Sequence, residues 1–227
     1  MAQRIKRQST SDLAYKEIRR RIVEWDFAPL EHLIEEQLVE QLSFSRTPLR
    51  QALYRLELEG LVYKASNGRI HVVDISLEHA KEIYKAREAL ESILAREACM
   101  NMTPKNLHLL KEKIHLMKLA AMEKRNMDVV NHGLEFHSLI REFSQNETLS
   151  RFLRQIEHHV DRYRRVGGKF NPLYDPERPI REHQLLYDAF SNKDPDLVEK
   201  RMAEHIKHSY LNSIVSIENY FLTKQLD

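Results

Sequence analysis

Glycine almost vanishes from this 227-residue chain, and the places where it does occur limit what the chain can fold into. Five glycines are present, far below the roughly 7% usual in globular proteins. So few positive-φ positions disfavour turn-rich β-sandwiches and glycine-loop nucleotide folds. Gly60 and Gly68 stand close together, Gly133 comes 65 residues later, and Gly167 and Gly168 form a pair. The one good hairpin signal surrounds Gly68: Leu61 to Lys64, then Ser66-Asn67-Gly68-Arg69, then Ile70 to Val73. Asn-Gly supplies the positive φ values of a type I′ turn, so a tight hairpin is expected. Everything after Ser76 reads as helix. The expected fold class is mainly α, with a small α/β unit at 1–75 and an all-helical unit at 76–227.

In the first unit Ser9 to Asp12 offer N-caps, and Ala14, Ile18, Ile22 and Trp25 repeat at helical spacing. Phe27-Ala28-Pro29-Leu30 breaks that helix. A short helix from about Glu35 to Leu42 follows, and Ser43-Phe44-Ser45 turns the chain. The next helix opens near Thr47 with Pro48 in its first turn, buries Leu49, Leu53 and Leu56, and stops at Gly60. Helix, helix, turn, helix and hairpin is the order of a winged helix-turn-helix with the hairpin as its wing.

That helix carries Arg46 and Arg50 on one face, with Thr47 and Gln51 in an adjacent row. A packed back and an arginine-rich front suit the major groove, where arginine bridges guanine O6 and N7. Residues 1–21 hold Arg4, Lys6, Arg7, Lys16, Arg19, Arg20 and Arg21 against Asp12 and Glu17, a net +5 that suits phosphates. Over the whole chain, 36 Lys and Arg nearly balance 34 Asp and Glu. A local basic face therefore hides inside a neutral total. The lone cysteine, Cys99, excludes an internal disulfide and any CxxC metal site. No apolar run approaches the ~18 residues of a membrane span, and the N-terminus lacks a signal-peptide core. A cytoplasmic location and no membrane partner are expected.

Six helices are expected in the second unit: about Leu77–Met102, one capped by Thr103-Pro104, Asp128–Ser144, Glu147–Val166, Pro179–Asn192 and Asp196–Leu222. Gly167 to Arg178, with two glycines and two prolines, is expected as a loop. Three of the twelve histidines fall on apolar stripes. His137 lies with Val130 and Ile140, His183 with Ile180, Tyr187 and Phe190, and His205 with Val198 and Met202. Such an imidazole is costly unless it is hydrogen-bonded or ligated. Converging inside a bundle, the three would make a nitrogen site with open positions. Most of the other histidines, His208 included, read as surface or satisfied residues. Arg87 also lies inward, with Ile83, Leu90 and Leu94. It either pairs with Glu91 one turn on or binds the carboxylate of a small organic acid.

The run Ser45-Arg46-Thr47-Pro48-Leu49-Arg50-Gln51-Ala52-Leu53-Tyr54-Arg55-Leu56-Glu57-Leu58-Glu59-Gly60-Leu61-Val62 resembles the recognition-helix signature of GntR-superfamily bacterial transcription regulators. The helical remainder is similar to the ligand domain of the FadR-type branch, and its six helices resemble the VanR-like variety. The two likenesses cover about residues 10–220. They imply that Arg46 and Arg50 contact double-stranded operator DNA and that Gly68, beside Arg69, lets the wing enter the minor groove. Some relatives add an arginine where this chain has Glu36. Glu135-Phe136-His137, Glu182-His183 and Glu204-His205 match three histidines that hold a divalent metal in many such domains. Those relatives usually add an aspartate where Gly133 stands, so a weaker site with one more open position is implied. Zinc or nickel suits imidazole.

The expected function is a transcription regulator, a repressor and homodimer, controlled by a small carboxylate at a metal-assisted site with Arg87 as its anchor. Direct metal sensing is one alternative. A metal-dependent hydrolase is another, but it needs a base near the metal, and Glu135 and Glu182 are expected to point away.

Overall fold

Ser9 starts the first helix with a reciprocal cap: its hydroxyl accepts from the Asp12 N–H while the Asp12 carboxylate accepts from the Ser9 N–H. The structure, a computed structural model, describes residues 9–170 and 175–224. Arg4, Lys6 and Arg7 lie outside the described residues. Contacts divide the chain into two units, Met1–Ile75 and Ser76–Asp227.

In the first unit α1 spans Thr10–Val23, α2 Glu35–Leu42 and α3 Arg46–Leu58, followed by β1 Val62–Lys64 and β2 Ile70–Val72. Ile18 and Ile22 of α1 meet Leu49, Leu53 and Leu56 of α3 in one buried cluster, which Leu61 and Val72 close from the wing side. Trp25, expected on the helical stripe, has left the helix. It takes a left-handed φ of 67° and remains buried, 8% exposed. The indole stays in the core while the backbone turns away.

The strands pair antiparallel, Val62 with Val72 and Lys64 with Ile70. The turn is not the expected type I′. Gly68 alone is left-handed, at φ 83°, and Asn67 is not. Ala65 N–H donates to the Arg69 carbonyl, Gly68 N–H to the Ala65 carbonyl, and the Asn67 side-chain oxygen accepts from Arg69 N–H. Such a three-residue loop needs one positive φ rather than two, and glycine supplies it. The wing has a third edge that sequence pattern did not suggest. Leu30 N–H donates to Val72, Leu33 N–H to Ile70, and Val72 N–H to Glu31, so residues 30–33 lie along β2.

The second unit is helical throughout its described residues: α4 Leu77–Met100, α5 Pro104–Met122, α6 Asn126–Phe143, α7 Glu147–Phe170, α8 Glu177–Ser191 and α9 Pro195–Lys224. Ser76 caps α4, and Thr103 caps α5 with Pro104 in its first turn. α7 corrects the expected loop, because it runs through Gly167 and Gly168 to Phe170. A glycine costs a helix about 1 kcal/mol. That is too little to stop one whose preceding turns bury Leu153, Val160, Tyr163 and Val166. Residues 171–174 of the expected loop lie outside the described residues, and α8 begins at Glu177, two residues before Pro179. The long helices α4 and α9 pack together, with α6, α7 and α8 around them.

Candidate functional site

The first unit presents one face of α3 to solvent. Arg46, Thr47, Arg50 and Gln51 are exposed, and Leu49, Ala52, Leu53 and Leu56 are buried behind them. Tyr54, 61% exposed, continues the arginine row one turn on. Both arginines lean on acids of α2: Arg50 Nε donates to Glu35 at 2.9 Å, and Arg46 lies 3.5 Å from Glu36. Gly68 and Arg69 at the wing tip are exposed. Of the basic residues in α1, Arg20 is paired with Glu17, Glu24 and Asp26, and Arg21 with Glu17. The basic stretch is thus less free than its formal charge suggests.

In the second unit His137 of α6, His183 of α8 and His205 of α9 come together, with candidate ligand atoms all within 4.8 Å of one another. His137 Nε2 and His205 Nε2 stand 3.1 Å apart. His183 Nε2 is buried with no hydrogen-bond partner. Every Nδ1 is occupied on the outer side. His137 Nδ1 meets Glu91 of α4, His183 Nδ1 donates to the Pro179 carbonyl at 2.6 Å, and His205 Nδ1 donates to Glu182 at 2.7 Å. An acceptor on Nδ1 fixes the proton there and leaves the Nε2 lone pair facing inward, as a metal ligand requires.

Electrostatics favour the same state. Burial drives the His183 imidazole well below its ordinary value, helped by the neighbouring His205 and His137. Burial likewise lowers His205 to about 4, against the opposing pull of Glu182. Burial alone would raise the Glu182 carboxyl, but bonds from His205, Arg178 and His208 hold it below the usual range. Glu91 follows the same logic, with Arg87 and His137 outweighing burial. Buried His183 and His205 imidazoles that resist protonation, with every Nδ1 engaged by a carboxylate or a backbone carbonyl and one bare nitrogen among them, fit a divalent metal.

Glu91 and Glu182 are the functional residues that sequence reading missed. Glu182 was expected to point away; instead one oxygen accepts from His205 Nδ1 and the other from His208 Nδ1 at 2.8 Å, with Arg178 Nε at 3.1 Å. Its adjacency to His183 hid this, because an i, i+1 pair diverges on its own helix yet can serve a neighbouring one. Glu135 does face outward, to Lys113 and His132.

Arg87 is fully buried. Its Nε donates to Glu91 at 2.5 Å, its Nη1 to Ser209 at 3.3 Å, and its Nη2 has no partner. A cavity of about 90 Å³ adjoins the three histidines. Its lining includes the apolar Met117, Val129 and Leu134, Arg164 of α7, and His208 and Ser209 of α9. Gly133 also lines it: a Cβ there would lie 3.6 Å from His183 Nε2, an ordinary contact distance.

Two family models match the chain. The bacterial regulatory proteins of the gntR family cover residues 10–72, and the FCD domain covers residues 82–208. The HTH-type transcriptional repressor RspR of Escherichia coli is 26% identical over 88% of this chain and 87% of its own. The HTH-type transcriptional regulator McbR of Escherichia coli is 30% identical over 78% of this chain and 80% of its own. The solved structure of E. coli McbR/YncC superposes with a TM-score of 0.79 at 22% identity, covering 94% of this chain and 99% of that one.

Proposed function

The chain belongs to the GntR family of bacterial regulatory proteins and carries an FCD domain, and on that premise we propose how this transcription regulator works. It is a cytoplasmic, homodimeric repressor whose grip on operator DNA is controlled by a small carboxylate metabolite. DNA contact rests on α3: Arg46, Thr47, Arg50 and Gln51 stand exposed on the side opposite the buried leucines, and Gly68 and Arg69 tip the wing. One such helix covers a half-site, so twofold symmetry is the economical route to specificity.

The observation that carries the effector site is the bare, buried His183 Nε2 beside two other inward imidazole nitrogens. His137, His183 and His205 would hold zinc or nickel, which when bound supplies a Lewis-acid position for a carboxylate oxygen. Gly133 leaves room there that a side chain would otherwise take. Arg87 supplies the second anchor in this reading, supported by its unpartnered Nη2 and its bond to Ser209 in the cavity wall. For the hydrolase alternative, Glu182 is not a free base, since both of its oxygens are engaged.

The test selects bound sequences from a random DNA pool and titrates the complex with zinc or nickel, with and without metabolite acids. On metal-loaded protein an acid should change DNA affinity by about 1–3 kcal/mol, and His183→Ala should lose both metal and response. A response to metal alone would make the protein a metal sensor. Unchanged DNA affinity with every metal and acid would overturn the effector reading.

A further inference from the structure

Two acids open α2 beside the arginines of α3, and the structure uses them differently. The N-cap, Ile34, makes no side-chain bond to the helix end, so the charges of Glu35 and Glu36 both favour it. Beyond that they part. The Glu35 side chain is 25% exposed, and both its oxygens accept from Arg50 Nε, at 3.1 and 2.9 Å. The Glu36 side chain is 65% exposed. Its oxygen lies 3.5 Å from Arg46 Nη2, an ionic contact too long to tie up either group.

The place of this second couple is fixed from behind. Leu38 of α2 lies in one buried cluster with Leu49 and Leu53 of α3, and Val39, Leu42 and Phe44 pack against it. Ser43 turns the chain between the two helices at a left-handed φ of 56°. Arg46 is the first residue of α3, and the N-terminal residues of a recognition helix are the ones that reach base edges. A carboxylate 3.5 Å from that guanidinium reaches the same edges.

Its chemistry limits what it can do there. An ionised carboxylate has no proton to give, so phosphate oxygens, guanine O6 and N7 and thymine O4 all repel it. Adenine N6 and cytosine N4 are the donors of the major groove. Adenine sets the N7 lone pair beside N6, against the second carboxylate oxygen, whereas cytosine has no acceptor beside N4. Cytosine also comes paired with guanine, whose O6 and N7 suit an arginine. Within one G·C pair O6 and N4 are hydrogen-bonded, about 3 Å apart. Arg46 and Glu36 present a donor and an acceptor at 3.5 Å, the complement of that edge.

We infer that Arg46 and Glu36 read one G·C pair together, the guanidinium on guanine and the Glu36 carboxylate accepting from cytosine N4. The inference rests on α3 being the helix that enters the groove, and it adds a residue of α2 that specifies a base.

Sequences selected from a random DNA pool by the full-length protein supply the operator, and fluorescence titrations compare it with copies altered one base pair at a time. Arg46→Ala marks the pair that Arg46 reads. Glu36→Ala should lower the preference for G·C at that same pair by about five- to tenfold and leave the other pairs as they were. It should bind unrelated DNA at least as tightly as the parent, because a charge that repels phosphate is gone. A cytosine analogue lacking the 4-amino group separates direct reading from a prop for Arg46. The lost base-pairing bond is common to both proteins, yet the analogue should cost the parent about five- to tenfold more than it costs Glu36→Ala. A thermal midpoint close to the parent's shows that the variant folds. Equal cost of the analogue to both proteins overturns the inference while α3 keeps its role. So does a Glu36→Ala effect that is absent or falls on another pair, or a pair at Arg46 that is not G·C. If Arg46→Ala and Arg50→Ala both bind the operator as the parent does, the DNA-reading face fails and the inference with it.

Discussion

Arginine meets glutamate in both units, with opposite physical consequences. The Arg50 and Glu35 side chains are 65% and 25% exposed, and the Arg87 and Glu91 side chains 0% and 7%. Water and salt screen the first pair, so it is worth about 0–1 kcal/mol and its guanidinium can be exchanged to a phosphate or base. The second pair has given up its hydration, and its Coulomb energy and hydrogen bonds must offset that loss together. An exposed fork is available to a ligand. A buried one has most of its donors committed to its neighbours, with only Nη2 left over, and through Glu91 it holds His137.

The largest expected effect follows from this contrast. Arg87→Ala would leave Glu91 charged and buried without its main partner, and should cost the second unit about 3–5 kcal/mol in urea unfolding. Arg50→Ala should change the first unit by no more than about 1 kcal/mol. Similar losses at the two positions would erase the distinction.

Function should invert that order. Arg50→Ala should weaken specific operator binding by about 1–3 kcal/mol if the guanidinium pairs with guanine. A footprint unchanged in place and affinity would show that the Glu35 bridge, not DNA, is what Arg50 serves.

The smallest effect concerns the cavity. Gly133→Asp brings a carboxylate toward His183 Nε2 with room for its Cβ, and should tighten zinc or nickel by about tenfold, in the range that supporting groups contribute. The fold of the second unit should tolerate it, whereas Arg87→Ala should not leave that unit intact. Equal or weaker metal affinity would remove Gly133 from the site.

The exposed face of α3 could be read in advance because its residues share one short helix. Arg46 and Arg50, with Leu49 and Leu53 behind them, are ordered by helical period alone, and Pro48 and Gly60 mark the helix ends. The three histidines could be found for a similar reason, since each interrupts an apolar stripe on its own helix. What they touch could not be found. Glu91 lies 46 residues from His137, and Glu182 lies 23 and 26 residues from His205 and His208.

The turn and the helix ends divide in the same way. Local chemistry located a hairpin at Asn67-Gly68, but three hydrogen bonds around Ala65, Asn67 and Arg69 chose a loop with one left-handed residue. Gly167 and Gly168 looked like a break, and packing of the preceding turns carried α7 through them. Sequence alone therefore determined the order of elements, the exposed arginines of α3 and the inward histidines, because each depends on spacing within one helix. Tertiary structure decided which carboxylate holds which imidazole and that His208 lines a cavity, because those depend on how separate helices pack against one another.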